Sequence, residues 1–120
     1  MNVFVFGSNL AGRHGKGAAA CALANHGAIY GQGKGLQGSS YAIPTKDKEL
    51  KALPLPAISV YVLEFLYFAH KHPNYTFNVT RIGCGLAGYT DEQIGPMFNE
   101  ASANVNLPAG WGNQKLRKMK

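Results

Sequence analysis

The sequence predicts an α/β domain, a three-layer α/β/α sandwich built on a largely parallel mixed sheet. Two observations carry this: β-rich runs alternate with helix-patterned runs, and the β-rich runs exit into polar or glycine-rich loops. Alternation of this kind gives parallel strands with helices on both faces. Ligands of such sheets gather at the carboxyl ends of the strands, so the loops converge on one crevice.

The elements follow in order. Asn2 to Phe6 alternates and turns at Gly7, which predicts a short buried first strand. The loop Gly7-Ser8-Asn9-Leu10-Ala11-Gly12-Arg13-His14-Gly15 then opens an alanine-rich helix from Lys16 to Asn25, with Gly27 as its C-terminal cap. Residues 31–38 are too glycine-rich for either regular element. Ser40 to Pro44 reads as a second strand that Pro44 ends, delivering Thr45, Lys46 and Asp47 at its exit. Ile58, Tyr61, Val62, Phe65, Leu66 and Ala69 recur at helical spacing up to His72-Pro73. Thr76 to Ile82 is β-rich and feeds Gly83-Cys84-Gly85-Leu86-Ala87-Gly88-Tyr89. Thr90 then caps a helix through Ile94, Met97 and Phe98, and Val105 to Leu107 forms a last strand. The expected order is β-α-β-α-β-α-β.

A chain of 120 residues with 46% hydrophobic content closes one modest core. One domain is expected over residues 1–110, followed by a basic tail, 111–120, carrying Lys115, Arg117, Lys118 and Lys120. Cys21 and Cys84 read as free thiols in a reducing cytosol, and no leader precedes Asn2. The apolar run Ile58 to Ala69 is too short to span a bilayer, so a cytoplasmic protein with no membrane partner is expected. The formal charge of +6 favours a polyanionic partner without naming it.

Three glycine patterns invite a nucleotide reading, at Gly33-Gly35-Gly38, at Gly83-Gly85-Gly88, and at Gly15-Gly17-Ala20. None directly follows the first strand with an acidic residue on the second, which excludes a dinucleotide dehydrogenase. Gly15-Lys16 lacks a P-loop's earlier glycine, where Leu10 stands, and its following Ser or Thr, where Gly17 stands. His70 and His72 lack partners at metal-ligand spacing, and Ser8 lacks a recognisable triad, so neither a metal site nor a cofactor is expected. What remains is general: backbone N–H groups freed by glycine at helix starts cradle phosphates, and residues 12–17 and 83–88 both suit that use.

Thr80-Arg81-Ile82-Gly83-Cys84-Gly85-Leu86 followed by a helix resembles the second phosphate loop of macro domains. The resemblance is closest to the branch of the terminal ADP-ribose protein glycohydrolase and of the antitoxin that removes ADP-ribose from DNA. Ile43-Pro44-Thr45-Lys46 is similar to that branch's strand end before the central helix, and Gly15-Lys16-Gly17 to its helix start. The resemblance implies an ADP-ribose site on Gly7, Ser8, Asn9, Leu10, Gly12, His14, Gly15, Lys16, Gly17, Thr45, Gly83, Cys84, Gly85, Leu86, Ala87, Gly88 and Tyr89.

It also implies that Lys46 is catalytic at the anomeric carbon of the distal ribose. An amine attacks carbon only when deprotonated, which requires lowering its usual pKa of ~10.4. Arg13, Lys16 and Lys34 would supply the field for this, whereas Asp47 and Glu49 beside Lys46 fit an ordinary surface lysine. The glycohydrolase has an aspartate directly after Gly-Cys-Gly-Leu. Here Ala87 stands there, and Asp91 is the nearest substitute. Asn9 suits ribose hydroxyls or a turn, His14 suits a phosphate or a solvated loop, and Tyr89 suits the distal ribose or packing.

Three functions follow. The first is a glycohydrolase that releases ADP-ribose from DNA or protein, and the second a module that only captures ADP-ribose or a related nucleotide diphosphate. The third is a basic nucleic-acid-binding protein marked by steep salt dependence, although its basic residues are sparsely interleaved with aromatics. The resemblance implies a setting in bacteria and their phages.

Overall fold

The strand β1 (Asn2–Asn9) lies at the centre of the sheet because its two side-chain rows are both apolar. Val3 and Val5 fall in one core cluster, and Phe6, with Phe4 packed beside it, in another. The structure, a computed structural model, describes residues 1–112.

After β1 come α1 (Gly17–Asn25), β2 (Gly35–Gln37), β3 (Ser40–Lys46) and α2 (Leu55–Lys71). Then follow β4 (Thr76–Val79), α3 (Asp91–Ile94), a 3-10 turn (Gly95–Phe98) and β5 (Val105–Asn106). The sheet order is β2-β3-β1-β4-β5. β1 pairs in parallel with β3 and β4, and β4 with β5, while β2 alone is antiparallel. The domain is thus α/β with a mixed, mostly parallel sheet, as the alternating pattern predicts.

Four expectations need correction. Residues 31–38 are not free of regular structure. Gly35 to Gln37 forms an edge strand, β2, in a hairpin turned at Gly38 (φ 59), and Ser40 Oγ ties the turn by donating to the Gln37 carbonyl at 2.7 Å. An edge strand tolerates glycine because few side chains must pack, so the order becomes β-α-β-β-α-β-α-β. Second, Pro44 does not end its strand. The register slips beside it, Ser8 facing Pro44 and Asn9 facing Lys46, and a proline is accommodated at such a bulge.

Third, the strand expected over Thr76 to Ile82 stops at Val79. Thr80 leaves the ladder with both its N–H and its hydroxyl donating to the Val5 carbonyl, at 3.0 and 2.8 Å. Fourth, the helix after Thr90 is α-helical only to Ile94 and continues as the 3-10 turn, because Gly95-Pro96 interrupts it. Thr90 does begin that helix, its N–H held by the Gln93 side chain at 2.9 Å.

The larger cluster joins Ile58, Val62, Phe65 and Ala69 of α2 to Val3, Val5, Ile43, Phe77, Phe98 and Trp111. The smaller one joins Ala19 and Ala22 of α1 to Phe6, Ala28 and Ala42. Trp111 is fully buried, so the packed core extends one residue beyond the boundary expected at 110. The basic residues expected in the tail, Lys115, Arg117, Lys118 and Lys120, lie outside the described residues. Among the described residues, no helix is long and apolar enough to cross a membrane.

Candidate functional site

The chain enters β3 from one side of β1 and β4 from the other, so the carboxyl ends of β3, β1 and β4 stand side by side. This reversal of direction at β1 is where open α/β sheets form their crevices. A cleft of about 580 Å³ opens there. The exit of β1 and the start of α1 supply Gly7, Ser8, Asn9, Arg13, Gly15, Lys16, Gly17, Ala18 and Ala19. The exit of β3 supplies Thr45, Lys46 and Leu50, and the loop after β4 supplies Thr80, Arg81, Ile82, Gly83, Gly85, Leu86 and Ala87. Tyr30 completes the lining.

The backbone of two of these loops is rich in unsatisfied donors. Lys16 stands at the N-cap of α1 in extended conformation (φ −145) with no side-chain cap bond. The first intrahelical bond is made by the Ala20 N–H, so those of Gly17, Ala18 and Ala19 have no partner among the described residues. Across the cleft, Gly83 (φ 75) turns the chain, the Cys84 N–H is taken by the Arg81 carbonyl, and those of Gly85, Leu86 and Ala87 have no partner among the described residues. Four cationic residues, Arg13, Lys16, Lys46 and Arg81, share the lining with these donors, and among the described residues no acidic residue does. Such a surface suits a multiply charged anion.

Lys46 follows the slip in register, which leaves Thr45 without a facing residue in β1. Thr45 Oγ1 donates to the Ser8 carbonyl at 3.3 Å, the Thr45 carbonyl accepts from Leu53, and the Lys46 carbonyl accepts from Leu10. The backbone of Lys46 is therefore fixed on both sides. Asp47 does not pair with it: its carboxylate accepts the N–H groups of Glu49 and Lys51, each at 2.9 Å, closing a turn that holds Leu50 at φ 67.

Seven expected site residues lie elsewhere, each for a visible reason. Leu10 is committed through its N–H to Lys46 and does not line the cleft. Gly12 (φ 72) packs backbone to backbone on Gly31 and Gln32, where an added Cβ would stand 2.3 Å from the Gly31 carbonyl carbon. His14 is buried at 1% exposure behind the loop, its Nε2 bonded to the Gln32 carbonyl (3.0 Å) and Gln37 Oε1 (3.2 Å). The Gln32 carbonyl and the Gln37 oxygen, which accepts from the Ile29 N–H, are both acceptors, so His14 Nε2 carries the proton and Nδ1 is buried without a partner among the described residues.

Cys84 faces Asp91 across 3.7 Å. Burial first, and then the Asp91 charge, push its thiol up, which disfavours the thiolate. Gly88 (φ 85) closes the turn by donating to Gly85, and the Tyr89 hydroxyl donates to the Leu53 carbonyl, bracing the loop instead of covering a ribose. Asp91 accepts from Trp111 Nε1 at 2.8 Å and Arg81 Nη1 at 2.7 Å. Those two bonds, the indole's first, hold its carboxyl below the usual range; it supports the wall and does not enter the cleft.

Two further residues reach the cleft but are partly committed. The Asn9 amide donates to the Arg13 carbonyl and accepts from its N–H, both at 2.9 Å, which is the turn-forming role. Ser8 Oγ donates to the Gly33 carbonyl.

Residue typing missed Arg81 and Tyr30. Arg81 stands inside the motif that resembles a phosphate loop, but the resemblance assigns it no role. Tyr30 is 61% exposed, in a loop pinned to the β1 exit by the bond from the Gly31 N–H to the Gly12 carbonyl at 2.8 Å. A large aromatic next to glycine in a loop was its only signal. Among the described residues, no cluster of His, Cys, Asp and Glu could hold a metal ion. No protein-family model, curated protein or solved structure matches this chain.

Proposed function

We propose that the cleft binds ADP-ribose or a closely related nucleotide diphosphate, with the diphosphate held between the start of α1 and the loop 83–87. One observation carries this reading. Two runs of unpaired backbone N–H groups meet in a cleft lined by four cations and no carboxylate. Anions gain from both the donors and the charge, and a neutral or cationic ligand would leave the donors, and the charges of Arg13, Lys16 and Lys46, without a partner among the described residues. The three-layer plan of macro domains is consistent with the two core clusters, one containing α1 and the other α2. The capture of a nucleotide is the primary function.

Release of ADP-ribose from modified DNA or protein is the second reading, and the placement of Lys46 favours it. Lys46 is the cationic side chain at the exit of β3, held by backbone bonds on both sides, with no salt bridge to Asp47 or Glu49 among the described residues. In that reading the Lys46 amine forms a bond to the anomeric carbon as the bond to the target breaks, its proton passing to the departing group, and water then displaces the amine to free the sugar. With Asp91 turned to Arg81 and Trp111, no acidic residue among the described residues lines the cleft to assist.

Calorimetric titration of the wild-type chain with ADP-ribose, AMP and inorganic pyrophosphate tests the primary reading. ADP-ribose and pyrophosphate should bind and compete, and failure of both to bind overturns it. Incubation with ADP-ribosylated DNA and protein separates the two readings: release by wild type but not by Lys46→Ala, with binding retained, establishes turnover. Affinity for unmodified DNA that falls steeply with salt and is indifferent to Lys46 would indicate a nucleic-acid-binding protein instead.

A further inference from the structure

Among the described residues, Arg81 is the one cation of the cleft lining whose head group is built into a network. Its Nη1 donates to Asp91 Oδ1 at 2.7 Å and its Nη2 to the Ala109 carbonyl at 2.9 Å. The same Asp91 oxygen accepts the Trp111 indole N–H at 2.8 Å. Trp111 is in turn fully buried, stacked on Phe98 with centroids 5.4 Å apart, and laid over Gly95, where an added Cβ would stand 3.2 Å from the ring. An anchored indole therefore fixes a carboxylate, and the carboxylate fixes the guanidinium of a residue that lines the cleft. The remaining guanidinium N–H groups have no partner among the described residues, which leaves donors for a ligand.

We infer that Asp91 and Trp111 are positioning residues that hold Arg81 for an anion, making the segment that ends at Trp111 part of the binding site without touching the ligand. This rests on the anion-binding reading of the cleft. A free arginine side chain would have to be ordered when the ligand arrives, and here that entropic cost is already met by folding. The motif that resembles a phosphate loop thus depends on a tryptophan some thirty residues downstream.

The test combines a ligand-free signal with a mutant cycle. In the free wild-type chain, the Arg81 guanidinium protons should give distinct, slowly exchanging NMR signals, and Asp91→Ala should average them. Trp111→Phe keeps an aromatic ring on Phe98 but removes the indole donor. It should weaken pyrophosphate and ADP-ribose binding by about three- to tenfold, the range of one hydrogen bond. In an Arg81→Met background, Trp111→Phe should cost nothing more. Equal loss in both backgrounds, or no loss in either, overturns the inference, as do guanidinium signals unchanged in Asp91→Ala. Should the wild type bind neither probe, the proposed function fails, and the guanidinium signals alone then decide whether Asp91 and Trp111 hold Arg81.

Discussion

Glycine has two separate roles around this cleft, and residue type alone does not distinguish them. Gly12 combines φ 72 with backbone of Gly31 at 2.3 Å from an added Cβ, so it is required for one loop to lie flat on another. Gly15 and Gly85 have open space where a Cβ would stand and no positive φ. Gly12→Ala should therefore destabilise the fold by at least ~2 kcal/mol, through overpacking and backbone strain together. Gly15→Ala and Gly85→Ala should leave the denaturation midpoint nearly unchanged and weaken ADP-ribose binding, because a methyl group would then stand in the cleft. Urea denaturation and calorimetry on the three variants check this. If Gly85→Ala leaves affinity unaltered, the ligand does not approach that backbone. The same division explains why Gly12 and His14, adjacent in the sequence to Arg13 and Gly15, belong to the packing behind the cleft.

Among the elements, β3 is buried along almost its whole length and ends in the cleft. Its residues from Ser40 to Thr45 are all buried, the bulge at Thr45 sets the position of Lys46, and Tyr41 joins it to α2 through an edge contact with Phe65 at 5.1 Å. Burial, and secondarily the charge of Glu64, push the Tyr41 phenol up to about 12. A phenol whose folded pKa is raised contributes stability that is fully present below its unfolded value of ~10 and is lost as pH rises through the folded value. Tyr41→Phe should remove that dependence. Between about pH 9 and about pH 11, wild type should lose more of its denaturation midpoint than the variant. Equal losses would mean that Tyr41 ionises as freely in the fold as out of it. The strand itself was legible from Ser40-Tyr41-Ala42-Ile43, because its hydrophobic signal is local. Its extension to Lys46 was not, since Pro44 signals an end unless the neighbouring strand slips in register. The edge strand β2 was hidden for a related reason: its glycines argue against a strand, and only pairing with β3 makes one.

In the whole molecule, the mostly parallel sheet and the convergence of three strand exits could be read from the order of elements, whereas the antiparallel edge that makes the sheet mixed could not. The contents of the cleft were legible where a residue sits at a strand exit, as with Lys46, Lys16 and Gly83. They were misread where a partner distant in the chain claims the side chain, as Gln37 claims His14 and as Trp111 and Arg81 claim Asp91. Such partners leave no trace in local spacing. The Asp91 junction also ties α3, the loop after β4 and the segment 109–111 together, so its charge state bears on the stability of the whole fold. The Trp111 and Arg81 bonds lower the Asp91 pKa in the folded chain. A carboxyl with a depressed folded pKa contributes stability that is present above its unfolded value of ~3.9 and is lost as pH falls through the folded value. Asp91→Asn keeps an acceptor for the indole but removes the titrating charge. It should lower stability near neutral pH and give a shallower loss on acidification below about pH 4, because this step no longer contributes. Denaturation midpoints across that range check it. Parallel acid limbs for the two proteins would mean that the carboxylate, although bonded, does not couple its protonation to folding, and that the hold of Trp111 on the cleft wall is one of packing alone.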